Sequence, residues 1–75
     1  MDELNKKIGF EMRSRRLLAR MTLEQVASGM GYLSKNTVSR MELGQANITV
    51  ADLKKFCEVV GCSWIELLEA VDASV

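Results

Sequence analysis

Lys35, Asn36 and Arg40 carry the chemistry that points furthest in this chain. Lysine and arginine donate to the two acceptors on the edge of guanine, O6 and N7. Asparagine pairs with N6 and N7 of adenine in a two-bond geometry. Positions 35 and 36 fall in the first turn of a helix that Ser34 is suited to cap, and Arg40 lies one turn further on. On that helix Val38 and Met41 point inward, while Lys35, Asn36, Thr37, Ser39 and Arg40 point outward. A solvated surface helix has the same pattern, so the meaning of this face depends on the elements that hold it.

The preceding segment reads as a second short helix. Thr22 and Gln25 have the spacing of a capping box, and Val26, Ala27 and Met30 fall on one face at helical intervals. Gly29 and Gly31 interrupt the pattern, since glycine takes the positive φ that ends a helix and turns the chain. Two crossed helices with a short turn, the second offering Lys, Asn and Arg near its start, suit the major groove of DNA. Thr22, at a helix start, combines a cap with a backbone N–H facing an anion such as phosphate. For Tyr32, in the turn, contact with a sugar-phosphate backbone and packing against the domain are both open readings.

Three further helices complete an all-α reading. The first covers about Glu3 to Leu18, with Leu4, Ile8 and Met12 recurring every four residues and Arg13, Arg15 and Arg16 clustered near its C-terminal end. After Gly44 the segment QANIT reads as a loop. Thr49 and Asp52 repeat the capping-box spacing and open a fourth helix to about Val60, with Leu53, Phe56, Cys57 and Val60 on its apolar face. Ser63 and Glu66 repeat it again before a fifth helix to about Val71, followed by a frayed tail, DASV. Neither a repeat nor a low-complexity segment appears.

Seventy-five residues, 48% of them hydrophobic and none of them proline, make one small helical domain with one core. No run approaches the eighteen apolar residues of a membrane span, and MDELNKK lacks the pattern of a leader, so the reading is a cytoplasmic protein. Cys57 and Cys62 read as small apolar residues; with no histidine present, a zinc site would have to recruit carboxylates. The zero net charge is unevenly divided. Residues 1–40 hold eight Lys or Arg against four acids, and residues 41–75 hold two Lys against six acids. This suggests one nucleic-acid face and one face of another kind.

Ile8-Gly9, Met12-Arg13, Arg16, Thr22, Val26-Ala27, Gly31, Ser34, Val38-Ser39, Met41-Glu42, Gly44, Leu53, Gly61 and Leu67-Leu68 occur in the order and spacing of a known family. In these residues the chain resembles the Cro/repressor-type, or XRE-like, helix-turn-helix transcriptional regulators over about Ile8 to Leu68. The resemblance implies a compact five-helix bundle of the lambda-repressor-like type, a single domain over 1–75 with its motif at about 22–43 and a dimerisation region at about 49–72. It implies base contacts from Lys35, Asn36 and Arg40, positions nearer the DNA backbone or groove wall for Ser34, Thr37 and Ser39, and a structural pair between Arg16 and Glu42. The position of Leu23 usually carries a glutamine that braces the DNA backbone, and that of Leu43 is often polar. The turn Gly31-Tyr32-Leu33-Ser34 is also one residue longer than usual.

Arg13 and Arg20 read either as phosphate contacts or as solvated charges. Trp64, Ile65, Leu68 and Val71 give the fifth helix more apolar surface than one inward stripe needs, which suggests a dimer face; Trp64 completing the core is the alternative. The expectation is a homodimer at a palindromic double-stranded DNA operator, regulating its own expression as a phage-type repressor or restriction–modification controller. It blocks or recruits RNA polymerase, with no cofactor, small-molecule ligand or membrane partner. A protein-interaction module keeping the fold without binding DNA, as an antirepressor or antitoxin partner would, is the other class. An enzyme is disfavoured by the absence of histidine and of a Gly-rich phosphate loop.

Overall fold

A computed structural model describes residues 3–73. Five helices follow one another: α1 (Glu3–Leu18), α2 (Leu23–Met30), α3 (Lys35–Glu42), α4 (Val50–Val60) and α5 (Trp64–Ala73). Local chemistry sets their ends. Thr22 and Thr49 each close a complete capping box, with Gln25 and Asp52 respectively. At Ser63 the hydroxyl accepts from the Glu66 N–H at 3.3 Å. Gly31 ends α2 at φ 84°, and its N–H and that of Tyr32 return to the carbonyls of Ser28 and Ala27.

The core is assembled from all five helices. Phe56, Met12, Leu67, Val26 and Val38 are its largest fully buried side chains. Helices α2 and α3 pack on each other and on α4 and α1 respectively, while α5 closes the bundle against α1 and α4. Close approach of α1 to α3 requires Gly9, because a Cβ there would collide with the carbonyl oxygens of Met41 and Glu42.

Several expectations change. The buried face of α1 is Gly9, Met12 and Arg16, with Ile8 half-buried and Leu4 exposed, because the contact with α3 is made through the glycine. Gly29 does not break α2. It is helical, and a Cβ at 29 would meet Val59 Cγ1 at 2.8 Å, so its role is close packing on α4. Helix α5 runs to Ala73, so Asp72 and Ala73 are helical rather than frayed; Ser74 and Val75 lie outside the described residues. Val71 is corrected as a dimer-face residue. With Leu67, one turn earlier, it forms the inward stripe of α5 and is 3% exposed. Cys57 is buried and Cys62 half-buried, both as free thiols, and burial followed by the neighbouring Cys62 pushes the Cys57 thiol up to about 12.

No helix among the described residues is long and apolar enough to cross a membrane.

Candidate nucleic-acid interface

Helix α3 starts where Ser34 turns from extended backbone into helix, its Oγ accepting from the Asn36 N–H at 3.1 Å. Val38 and Met41 anchor the inner face in the core, leaving Lys35, Asn36 and Arg40 exposed and Thr37 and Ser39 half-buried at the flanks. The C-terminal end is fixed from α1. Arg16 Nε donates to Glu42 Oε2 at 2.8 Å, Arg16 Nη2 donates to Glu42 Oε1 at 3.2 Å, and Arg16 Nη1 donates to the Met21 carbonyl at 2.9 Å. This two-bond fork is nearly buried on both sides and fixes α3 in position and rotation. Gly44, at φ 74°, follows α3, and the Gln45 N–H bonds back to the Arg40 carbonyl at 2.8 Å.

Around α3 the fold gathers most of the basic and polar candidates. Arg20, Thr22 and Lys35 line one shallow groove, and Arg13 and Ser39 line a second, with Leu23 bordering both. Arg15 is engaged elsewhere, in an ion pair with Glu11 one turn back at 3.2 Å. Arg20 stands at φ 57°, the sole non-glycine residue in the left-handed region among those described. It occupies the turn after α1 that glycine occupies after α2 and α3, with its N–H on the Leu17 carbonyl and the Met21 N–H on that of Arg16.

Thr22 is used differently from the expectation, and Tyr32 takes one of its two open readings. The Thr22 N–H donates to Gln25 Oε1 at 2.9 Å, so the capping box already occupies the donor assigned to an anion. What Thr22 retains for a phosphate is its exposed hydroxyl and the N-terminal dipole of α2. Tyr32 packs against the core, the second of its two readings, and its hydroxyl donates to Asp52 Oδ1 on α4 at 2.8 Å. Burial, then the Asp52 hydrogen bond and charge, push Tyr32 up to about 12. Burial acts to raise Asp52, but hydrogen bonds from Tyr32 and Thr49 and the charge of Lys55 outweigh it and hold this carboxyl below its ordinary value.

Reasoning from the sequence missed three partners. Glu24, in the first turn of α2, lies 3.6 Å from Lys35 Nζ in an exposed pair. Asp52 anchors Tyr32 in addition to closing its own helix. Leu33 is fully exposed beside the start of α3. Nothing local announces the first two, which join residues 11 and 20 positions apart.

On the opposite side of the chain's sequence, Ile65 is 56% exposed and Leu68 half-buried. Trp64 is half-buried against the core, with Lys54 Nζ 5.6 Å from its ring centre.

The helix-turn-helix family model matches residues 12–67. Among solved structures, the clp gene regulator ClgR from Corynebacterium glutamicum aligns at 24% identity over 100% of this chain and 96% of its own, with a TM-score of 0.91. The restriction-modification controller protein C.Esp1396I, solved as a tetramer in complex with its natural 35 base-pair operator, aligns at 23% identity over 97% of this chain and 95% of its own, with a TM-score of 0.84. The controller protein C.AhdI from Aeromonas hydrophila aligns at 24% identity over 83% of this chain and 92% of its own, with a TM-score of 0.76. No curated protein matches the chain.

Proposed function

The chain belongs to the helix-turn-helix family, and from that premise we propose that it is a sequence-specific regulator of transcription that binds double-stranded DNA as a homodimer. The observation that carries the reading is the outer face of α3. Lys35, Asn36 and Arg40 stand free of the core on a helix whose rotation the Arg16–Glu42 fork fixes. Asn36 and Lys35 supply donors in the first turn, where a recognition helix reaches deepest. Ser34, Thr37 and Ser39 line the groove wall, and Arg13 and Arg20 meet phosphates on either side. A structural relative solved on its operator supports this placement of the fold.

The dimer joins through Trp64, Ile65 and Leu68 and reads a palindromic site. Control comes from the protein's own concentration, as in a phage-type repressor or a restriction–modification controller, with RNA polymerase blocked or recruited by the docked dimer in the cytoplasm.

The second reading is a protein-interaction module without DNA contact. Leu17, Leu18, Leu33 and Leu43 favour it, because each is more than half exposed and three of them border or adjoin the same face.

Binding to duplexes selected from a random pool separates the two. A DNA reader loses affinity steeply as salt rises, while an apolar protein contact does not. Lys35→Ala and Arg40→Ala should abolish discrimination between selected and scrambled duplexes at unchanged helical content. Full discrimination by both variants would remove the groove assignment.

A further inference from the structure

A leucine immediately before a helix cap often turns back to pack on the fourth residue of that helix, a staple that fixes the chain's entry. Here Leu33 precedes the cap Ser34, and the fourth residue is Val38. Val38 is fully buried and Leu33 is fully exposed, so the staple is not made. The turn shows why. The Tyr32 N–H is bonded to the Ala27 carbonyl at 2.9 Å, its ring lies against the core, and its hydroxyl is held by Asp52 at 2.8 Å. Tyr32 takes the inward place, and the additional residue of the turn is carried outward. Leu33 is left beside Lys35, at the mouth of the groove between α2 and α3.

An exposed leucine forgoes the free energy of its own burial, and this one stands among hydrogen-bonding side chains that face outward: Ser34, Lys35 and Asn36. In the major groove one apolar group projects from the base pairs, the C5-methyl of thymine. We infer that Leu33 is a specificity residue, its side chain seated on a thymine methyl next to the bases that Lys35 and Asn36 read. The inference rests on the DNA-binding reading above and adds to it an apolar determinant contributed by the lengthened turn. The basic and amide donors adjoining Leu33 favour this occupant over an apolar protein surface, which would desolvate the Asn36 amide without an acceptor and strip water from the exposed Lys35–Glu24 pair.

The test uses the full chain and duplexes selected by it from a random pool, prepared with thymidine or with deoxyuridine in its place, which deletes the methyl and keeps the pairing. The wild-type protein should lose about four-fold in affinity on the uracil duplex, the equivalent of one buried methyl group. Leu33→Ala should bind the thymine duplex about four-fold more weakly and show no further loss with uracil. Its helical content should be unchanged, since Leu33 contributes nothing to the core. Equal uracil penalties in wild type and Leu33→Ala overturn the inference, as does a wild type indifferent to the methyl. Loss of self-association in Leu33→Ala with an unchanged uracil penalty assigns the side chain to a protein contact and likewise overturns it. Failure of the underlying reading is separately visible, because no duplex would then be enriched and no salt dependence observed.

Discussion

Arg20 and Tyr32 show how single residues in this fold serve two demands at once. Arg20 holds a left-handed conformation that costs a non-glycine residue about 1 kcal/mol or more. Its side chain is exposed and lines the groove that also contains Thr22 and Lys35. On the proposed DNA-binding reading, the guanidinium placed beside a phosphate would offset this strain. Arg20→Gly should therefore be more stable by about 1 kcal/mol in urea unfolding. It should also bind duplex DNA more weakly, with the salt slope reduced by about 1. A stability gain with unchanged DNA affinity would make Arg20 a bystander. Tyr32 is the chain's single tyrosine, so its ionisation is read directly from tyrosinate absorbance. Its folded value is raised from 10.0 to about 12, so the neutral phenol is favoured in the native state. The associated stabilisation is complete below pH 10 and is lost as pH rises towards 12. Native protein should titrate near 12 and urea-unfolded protein near 10, while Tyr32→Phe should lack this part of the alkaline loss of stability. A native midpoint at 10 would mean that the phenol is neither buried nor held by Asp52.

At the scale of elements, the decisive contact is the one between α1 and the end of α3. Gly9 lets the two backbones approach, and Arg16 and Glu42 lock them with a fork only 10% and 4% exposed. Glu42→Ala leaves the Arg16 guanidinium buried without its carboxylate, a loss of about 3 kcal/mol measured as a lower urea midpoint. Arg16→Met combined with Glu42→Leu removes both charges and should recover most of that stability. If Glu42→Ala unfolds at the wild-type midpoint, the fork does not hold the helices. Much of this architecture was legible in the sequence because its signals are local. Thr22–Gln25, Thr49–Asp52 and the glycines after α2, α3 and α4 mark the helix ends within a few residues of themselves. The inward faces of α2 and α3 followed from periodicity alone, and the Arg16–Glu42 contact from family order. What stayed hidden depends on packing between distant segments. Gly29 looked like a breaker because Val59, its reason for being glycine, lies thirty residues away. Val71 looked spare because periodicity does not say how wide a stripe α1 and α4 will cover. Tyr32 and Leu33 are adjacent, and it is Tyr32 that turns inward, held by the Ala27 carbonyl, the core and the distant Asp52.

For the molecule as a whole, size limits what one copy can do. The eight-residue α3 is about 12 Å long, whereas successive major-groove faces of a duplex are about 34 Å apart. One copy measures 32 × 24 × 20 Å and carries one α3, so in the proposed dimer the second copy would place a second α3 on the same side of the duplex. The charge division agrees with that arrangement, since the basic excess lies in residues 1–40, which contain α3, and the acidic excess lies in residues 41–75, which contain α5. With Val71 buried, the apolar surface left to α5 is Ile65, Leu68 and the outer part of Trp64. Trp64→Ala is a poor probe because that ring also packs on the core and lies under Lys54. Ile65→Asp is a better one. The side chain is 56% exposed, so the protomer should keep its helical content and melting temperature, while a dimer would have to bury a carboxylate in its interface. Sedimentation should then show dimer association weakened by about 2 kcal/mol or more, roughly 30-fold. Binding to a two-half-site operator should fall with it, while binding to an isolated half-site should stay at the wild-type level, because α3 is untouched. A variant that sediments as the wild type places the dimer contact elsewhere on the surface. One that loses half-site binding too would mean that α5 supports the recognition helix rather than a second subunit.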